Sequence, residues 1–274
     1  MSGARHISLL GKCRQRLAIL RQFLRVGLVR KAQFRIDFLA QVVMDLCFYS
    51  VHIITFELLF GMGDGFTIAG WDRAAVRVFL GFLFVADAFM MTWLSQGWFL
   101  PQDIKNGNLD PVRLRPAPSI LVYFFQRFSP EGAVNFLCAF SYLGYGLTTC
   151  GPLSADIIWT LPLALFLCIW AEVVVAVGLG ALEFLFVNSD LSRFFIEMAQ
   201  TASGKPLDIY KRRVRQFLIL VLPVGVLAHV PAEIVLGRCH GLELLGQVTW
   251  QILLGLAVFA LFRRSFKRYE SALS

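Results

Sequence analysis

Stretches of apolar residues alternate with short polar segments along the whole chain. Six of the apolar stretches are long enough to cross a membrane as a helix of about 20 residues. They cover residues 38–60, 74–100, 132–148, 157–187, 217–236 and 242–262. The pattern therefore predicts an all-α membrane protein with six transmembrane helices. An apolar piece at 120–128 is interrupted by Gln126 and Arg127, and it predicts an interfacial helix ahead of the third span.

The composition supports a membrane protein. Charged residues make up 16% of the chain and hydrophobic residues 57%, whereas a soluble domain carries about 25% charged residues. The six cysteines are scattered without the spacing of a metal site, so we expect no metal ion and no cofactor in this chain. The chain lacks GxxxxGK[ST], HExxH and GxSxG motifs, which predicts that it has no catalytic residues and hydrolyses no ATP itself.

The positive charges predict the orientation. Of the 26 Lys and Arg residues, 23 fall within 1–37, 101–119, 127, 188–216 and 263–274, which the six-span pattern places on one side. Only Arg73, Arg77 and Arg238 fall on the other side. By the positive-inside rule, both termini are predicted to be cytoplasmic. Anionic lipid headgroups then account for the net charge of +8, and no nucleic-acid partner is expected.

Residues 1–37 form the first predicted unit. Leucines at helical spacing are surrounded by Lys and Arg there, which predicts a basic amphipathic helix in the cytoplasmic interface. A nucleic-acid-binding arm is the competing interpretation. The six-helix transmembrane domain follows at 38–262, and a basic cytoplasmic tail follows at 263–274.

Several polar side chains lie inside the predicted spans, where charged groups are costly. Asp45, Tyr49 and His52 form a stripe on the first span, and Glu172 and Glu183 share a face of the fourth. Two interpretations remain open: the side chains hydrogen-bond to neighbouring helices, or they line a substrate path. For a path, acids beside aromatic or small residues favour a cationic amphiphile, with a lipid or glycolipid as the rival. A further pair, His229 and Glu233, is spaced i, i+4 on the fifth span.

The polar segment 101–119 is rich in charge, proline and a Gly-Asn break, so it must lie in water or against a protein partner. Its sequence IKNGNLDPVRLRPAPS resembles a motif of the permease subunits of type-2 ABC exporters. The segment 206–237, the ending RRSFKRYESALS and the early RIDFLAQ are similar to the same family, so the likeness covers nearly the whole chain. A departure lies at Asp110-Pro-Val-Arg, where family members more often carry apolar residues.

The resemblance implies a permease in a bacterial inner membrane that pairs with a second permease, either a related chain or a second copy. It also implies two copies of a separate ATPase, which bind ATP and Mg²⁺. In this family the loop between the second and third spans couples the permease to the ATPase. The expected coupling residues are Asp103, Ile104, Leu109, Asp110, Arg113, Leu114 and Arg115. A membrane scaffold without a transport path and an ion-coupled secondary transporter are the alternatives.

Overall fold

The computed structural model describes residues 21–22, 25, 29, 35–63, 65–109, 111, 123–124, 128–151, 155–185, 191–239 and 241–268. This part of the chain is helical apart from turns and an isolated bridge between Ile68 and Trp71. The α-helices in chain order are α1 Arg35–Gly61, α2 Arg73–Phe89, α3 Leu100–Lys105, α4 Gly132–Thr149, α5 Ile157–Leu185, α6 Leu191–Ser203, α7 Arg212–Leu220, α8 His229–Val235 and α9 Gly241–Arg268. Most of the predicted N-terminal amphipathic helix and of the predicted interfacial helix lies outside the described residues.

Within the described residues, four helical stretches are long and apolar enough to cross a membrane: Ile36–Gly61, Arg73–Ile104, Ile157–Leu185 and Gly241–Lys267. They coincide with the first, second, fourth and sixth predicted spans. The third predicted span is the 18-residue helix α4. The protein is therefore a multi-pass helical membrane protein, as its hydrophobic pattern predicts.

Helices α2 and α4 pack antiparallel along their whole length because glycines let their backbones approach. A Cβ on Gly81 would lie 2.7 Å from the Cα of Leu143, and one on Gly146 would lie 3.0 Å from the backbone of Val78. Small residues at helix contacts serve this purpose in membranes, where packing rather than water exclusion holds helices together. The pair is thus held together by close backbone contact.

Helix α2 continues beyond Phe89 without leaving the helical path. A π-helical turn, Met90–Leu94, and a 3₁₀ turn, Ser95–Phe99, connect it to α3. Gly107, with φ of 69°, then ends α3 in the left-handed conformation that glycine adopts readily. A single helical rod thus runs from Arg73 to Lys105.

The predicted fifth span is wrong as a continuous helix. Residues 217–236 are divided among the end of α7, a 3₁₀ turn at Pro223–Val226 and helix α8. Proline is the physical reason, since it has no N–H to donate to the carbonyl four residues earlier. Pro223 therefore leaves the carbonyl of Ile219 without its helical donor.

Side chains of α9 supply the donors that this break removes. The Gln251 amide donates to the carbonyl of Ile219 at 3.0 Å, and the Trp250 indole donates to the carbonyl of Leu220 at 2.9 Å. Gln251 is fully buried. The bundle therefore tolerates a broken helix because the freed carbonyls have partners within the protein.

A second correction concerns residues 188–216, which the charge pattern assigns to a cytoplasmic loop. Helix α6 packs against α5, with Ala199 and Ala202 buried, and Asp208 then reaches the Trp71 indole at 2.7 Å. The segment after α6 thus lies at the end of the bundle that carries Trp71, opposite Asn106. The five basic residues moved to that end are Lys205, Lys211, Arg212, Arg213 and Arg215.

This change leaves the predicted orientation intact. With these five residues moved, the predicted sides carry eight and 18 of the 26 Lys and Arg residues, and the larger number stays on the side predicted for Asn106. The positive-inside bias therefore still predicts that the Asn106 end is cytoplasmic. The physical reason for the error is that hydropathy detects continuous apolar helices only. Helix α6 includes Arg193 and Glu197, so its path along α5 is decided by packing.

Cysteine labelling tests this revised topology. In a variant without the native cysteines, a membrane-impermeant maleimide should label cysteines at positions 62 and 212 from the same side of the membrane. Cysteines at positions 106 and 267 should react only from the other side. All four positions are exposed in the fold. Labelling of position 212 together with position 106 would contradict the placement of α7 at the Trp71 end.

Replacing Gln251 tests the repair of the broken helix. Gln251→Met keeps the size of the side chain but leaves the buried carbonyl of Ile219 without a donor. We expect a loss of about 1–3 kcal/mol in the free energy of unfolding, measured by denaturant titration in detergent micelles. The matched control is Gln216→Met on the exposed side of α7, which should change stability by less than about 0.5 kcal/mol. Equal effects of the two variants would argue against the proposed role of Gln251.

Candidate functional site

A cavity of about 140 Å³ lies within the bundle between α2, α5 and α6. Apolar and small side chains form most of its wall, among them Leu83, Met90 and Leu179. Polar groups reach it from three helices: Asp87 from α2, Glu172 from α5 and Ser203 from α6. The cavity depends on the packing of α6 along α5, because Ala199 and Ser203 close one side of it.

Glu172, one of the predicted path residues, lies in the wall of this cavity. Its side chain is only 7% exposed. No described residue donates a hydrogen bond to its carboxylate or pairs with it as a cation. A buried carboxylate without such a partner carries a large desolvation cost when it is ionised. The position therefore suits a group that either holds a proton or meets a cation in the cavity.

Asp87 is the second acid of the cavity, and it was not among the predicted path residues. It accepts a hydrogen bond from the Tyr49 hydroxyl at 2.9 Å. In the sequence it is the only charged residue between Arg77 and the end of α2, a signal that could have identified it. The contact joins the predicted stripe on α1 to the cavity, because Tyr49 supports the carboxylate from outside the wall.

The other members of the α1 stripe do not line the cavity. Asp45 accepts hydrogen bonds from Gln41 at 3.0 Å and from Asn135 on α4 at 2.7 Å. His52 lies 3.0 Å from the carbonyl of Phe48 and packs against the ring of Phe48. Only the bond between Asp45 and Asn135 joins two helices, as the first interpretation expects, because the other two contacts lie within α1.

Glu183 lies eleven residues beyond Glu172 on α5, towards the Asn106 end. It is buried, with 6% exposure, but it does not line the cavity. The two glutamates thus occupy different environments although they belong to one helix. Of the five predicted path residues, the structure places Glu172 in the cavity wall and Tyr49 directly behind it.

The predicted coupling segment is folded onto the bundle. Ile104 and Leu109 are buried in an apolar cluster with Phe124, Val177 and Phe262. The two side chains pack there because apolar side chains are more stable inside the bundle than in water, and their contact with an ATPase stays a prediction. Asp110, Arg113, Leu114 and Arg115 lie outside the described residues.

Hydrogen bonds to the buried Asp103 fix the conformation of this segment. Its carboxylate accepts hydrogen bonds from Gln96 at 2.7 Å, Tyr123 at 2.9 Å and Asn108 at 3.1 Å. It is 8% exposed, so it too is a structural group rather than a surface charge. The side chains that the described part of the segment presents outwards are Gln102, Asn106, Asn108 and Pro111.

A second polar cluster lies at the Trp71 end. Asp208 accepts from the Trp71 indole at 2.7 Å and pairs with Arg215. The Arg238 guanidinium lies 4.7 Å from the centre of the Trp71 ring, a cation–π contact. Trp71 is fully buried. The cluster therefore fixes the segment after α6 and the turn after α8 to the start of α2.

His229 adds potential metal ligands to this cluster. Its Nε2 lies 3.5 Å from Glu233 and 3.9 Å from Asp208, and the ligand atoms of all three residues lie within 4.8 Å of one another. However, Nδ1 accepts the backbone N–H of Leu207 at 3.3 Å. A neutral imidazole that accepts at Nδ1 carries its proton on Nε2, so that nitrogen has no lone pair for a metal ion. The geometry favours a neutral imidazole that accepts from Leu207 over a metal ligand.

Tyr49→Phe tests the support of Asp87. The variant removes the donor but keeps the ring, which packs 4.6 Å from Phe84. We expect a loss of about 1–3 kcal/mol in the free energy of unfolding, because the Asp87 carboxylate loses a hydrogen bond inside the bundle. Tyr145→Phe is the matched control, since Tyr145 is 50% exposed. A Tyr49→Phe protein as stable as the control would show that the hydrogen bond contributes nothing.

Residues 46–272 match a family model described as an ABC-2 family transporter protein. The match extends from the middle of α1 past the end of α9, so it includes the cavity, the coupling segment and the Trp71 cluster. No curated protein and no solved structure gave a significant match to the chain.

Proposed function

This chain belongs to the ABC-2 family of transporter proteins, and on that premise we propose that it is the permease subunit of an ATP-driven exporter. In this proposal it forms half of a translocation path in a bacterial inner membrane, with both termini in the cytoplasm. Family membership makes an ABC ATPase its partner in general. Two ATPase copies bind ATP and Mg²⁺, and a second permease, either a related chain or another copy, completes the path.

One observation carries the proposal: the cavity and the coupling segment belong to the same helical rod. Asp87 and Met90 line the cavity from this rod, and the rod ends at Lys105. The 18 residues from Asp87 to Lys105 span about 27 Å at 1.5 Å per residue. Movement of the segment by an ATPase would therefore reach the cavity wall through a continuous helix. Coupling requires that the two resulting states bind substrate differently.

The burial of the segment changes how coupling would occur. Ile104 and Leu109 anchor it to α5 and α9, so a push on the segment moves those helices as well. The exposed side chains, chiefly Gln102 and Asn106, are then the groups that contact the ATPase. Asp110, Arg113, Leu114 and Arg115 remain proposed charged and apolar contacts beyond them.

An ion-coupled secondary transporter is the second candidate, because Asp87 and Glu172 are two acids in one cavity. In such a carrier, an ion that moves down its gradient would drive transport of the substrate, and no ATPase would be needed. A membrane scaffold would have no use for the cavity. Transport by the reconstituted permease alone would favour the ion-coupled carrier over the exporter.

Asn106→Trp tests the coupling surface. Asn106 is exposed and lies 3.3 Å from Gln102, so a large ring there blocks the surface without disturbing the buried anchors. The tagged permease is purified from its own cells, and the amount of a P-loop ATPase that copurifies with it is measured. We expect the variant to retain at most about one tenth of the ATPase that the unmodified chain retains. A loss of this size is typical when a central interface position is blocked.

The matched control is Thr148→Trp, which introduces the same ring at an exposed position of the Trp71 end. That variant should retain the ATPase like the unmodified chain. If neither variant affects an ATPase that copurifies, the segment is not the contact surface. If no ATPase copurifies with the unmodified chain, the exporter proposal itself fails.

A further inference from the structure

The cavity joins a carboxylate without a partner to an apolar wall, and this combination indicates a class of ligand. Glu172 is more than nine-tenths buried, lines the cavity and receives no hydrogen bond from a described residue. Asp87 lines the same cavity and has one donor, Tyr49. No described Lys, Arg or His lies in the cavity wall. Two acids thus face a cavity whose described lining contains no cationic side chain to pair with them.

We propose that this cavity binds the ammonium headgroup of a cationic amphiphile, with Glu172 and Asp87 as its counter-ions. The proposal rests on the exporter function and assigns the substrate class to that site. A primary ammonium donates up to three hydrogen bonds. Two carboxylates can accept these bonds, and the ligand supplies the charge that neutralises the acids in low dielectric.

The rest of the wall distinguishes an organic from an inorganic cation. Apart from the two acids and Ser203, the lining is apolar or small, including Leu83, Met90 and Val175. Hard metal ions need about six oxygen ligands, more than the described side chains of this wall present. An alkylammonium uses both kinds of surface, because its charged end meets the acids and its methylenes meet the apolar wall.

The size of the cavity limits what it encloses. Its volume of about 140 Å³ is smaller than the roughly 300–1,000 Å³ of sites that enclose drug-sized ligands. The cavity therefore holds a headgroup and a few methylenes, and the remaining apolar chain lies outside it. A compact ammonium fits this description better than a bulky ring system.

Binding of n-decylammonium to the full-length chain in phosphatidylcholine nanodiscs tests the proposal. Radiolabelled decylammonium is titrated at mildly alkaline pH, and partitioning into empty nanodiscs is subtracted. We expect saturable binding that Glu172→Gln or Asp87→Asn weakens at least about tenfold, because each variant removes a buried counter-ion. Glu183→Gln is the matched control: it changes a buried glutamate of the same helix that does not line the cavity, and binding should be unchanged.

Three results would overturn the proposal. Equal loss in Glu183→Gln and Glu172→Gln would show that the effect is not specific to the cavity. Binding of the neutral 1-decanol as tightly as decylammonium would show that the acids keep their protons and attract no cation. Displacement of decylammonium by excess Na⁺, but not by choline, would assign the site to an inorganic cation.

A measurement on the unmodified chain covers the case in which a variant does not fold. Dicyclohexylcarbodiimide modifies carboxyl groups in apolar surroundings, and mass spectrometry of peptides reports the modified residue. Decylammonium should protect Glu172 from this reagent, and 1-decanol should not. Absence of protection would contradict the proposal. Retention of the ATPase is measured without any amine, so a failure here leaves the test of the exporter function unaffected.

Discussion

A backbone polar group that lipid surrounds has no water to bond to, and this constraint governs the whole bundle. Unbroken helices satisfy it through their own hydrogen bonds, but the chain between α7 and α8 breaks at Pro223 inside the protein. The break persists because Gln251 and Trp250 donate to the freed carbonyls. Each lost hydrogen bond of this kind would cost about 1–3 kcal/mol, a large share of the net stability of a typical domain.

The broken segment also borders the cavity. Leu227, directly after the 3₁₀ turn, lies in the cavity wall, and α6 packs against both this turn and α5. Ala199 and Ser203 form the α6 side of the wall. The buried Trp71 fixes the arrangement at the far end through Asp208 and Arg238. Irregular backbone is therefore placed where it lines a functional space, as transmembrane proteins generally require.

Polar groups inside the bundle divide into two kinds. Asp45 has donors on its own helix and on α4, and such pairs hold transmembrane helices together. Glu172 has no described donor. An unpaired acid inside a membrane protein destabilises the fold, and such residues commonly mark functional positions. Asp87 lies between the two, since Tyr49 supports it while it faces the cavity. The acids of the bundle therefore differ in how far neighbouring side chains satisfy them.

The sequence by itself determined the class, the positions of five helices and the family. Long apolar runs can only be membrane helices, and the bounds of α1, α4 and α5 follow from them within a few residues. The sequence also indicated Glu172, because a carboxylate in an apolar helix is unusual enough to notice. Periodicity could not decide whether that acid meets a neighbour or a cavity, since the answer depends on other helices.

Tertiary structure alone decided the rest. The path of α6, the break at Pro223 and the burial of Ile104 and Leu109 depend on contacts between residues far apart in the chain. Hydropathy assigned α6 to a loop because its polar residues lower the average, although one face of it is apolar. Ile104 and Leu109 of the coupling segment were expected to contact a partner, whereas in this chain they pack against apolar residues of the bundle. Local sequence records what a residue prefers, and only packing determines which neighbour satisfies that preference.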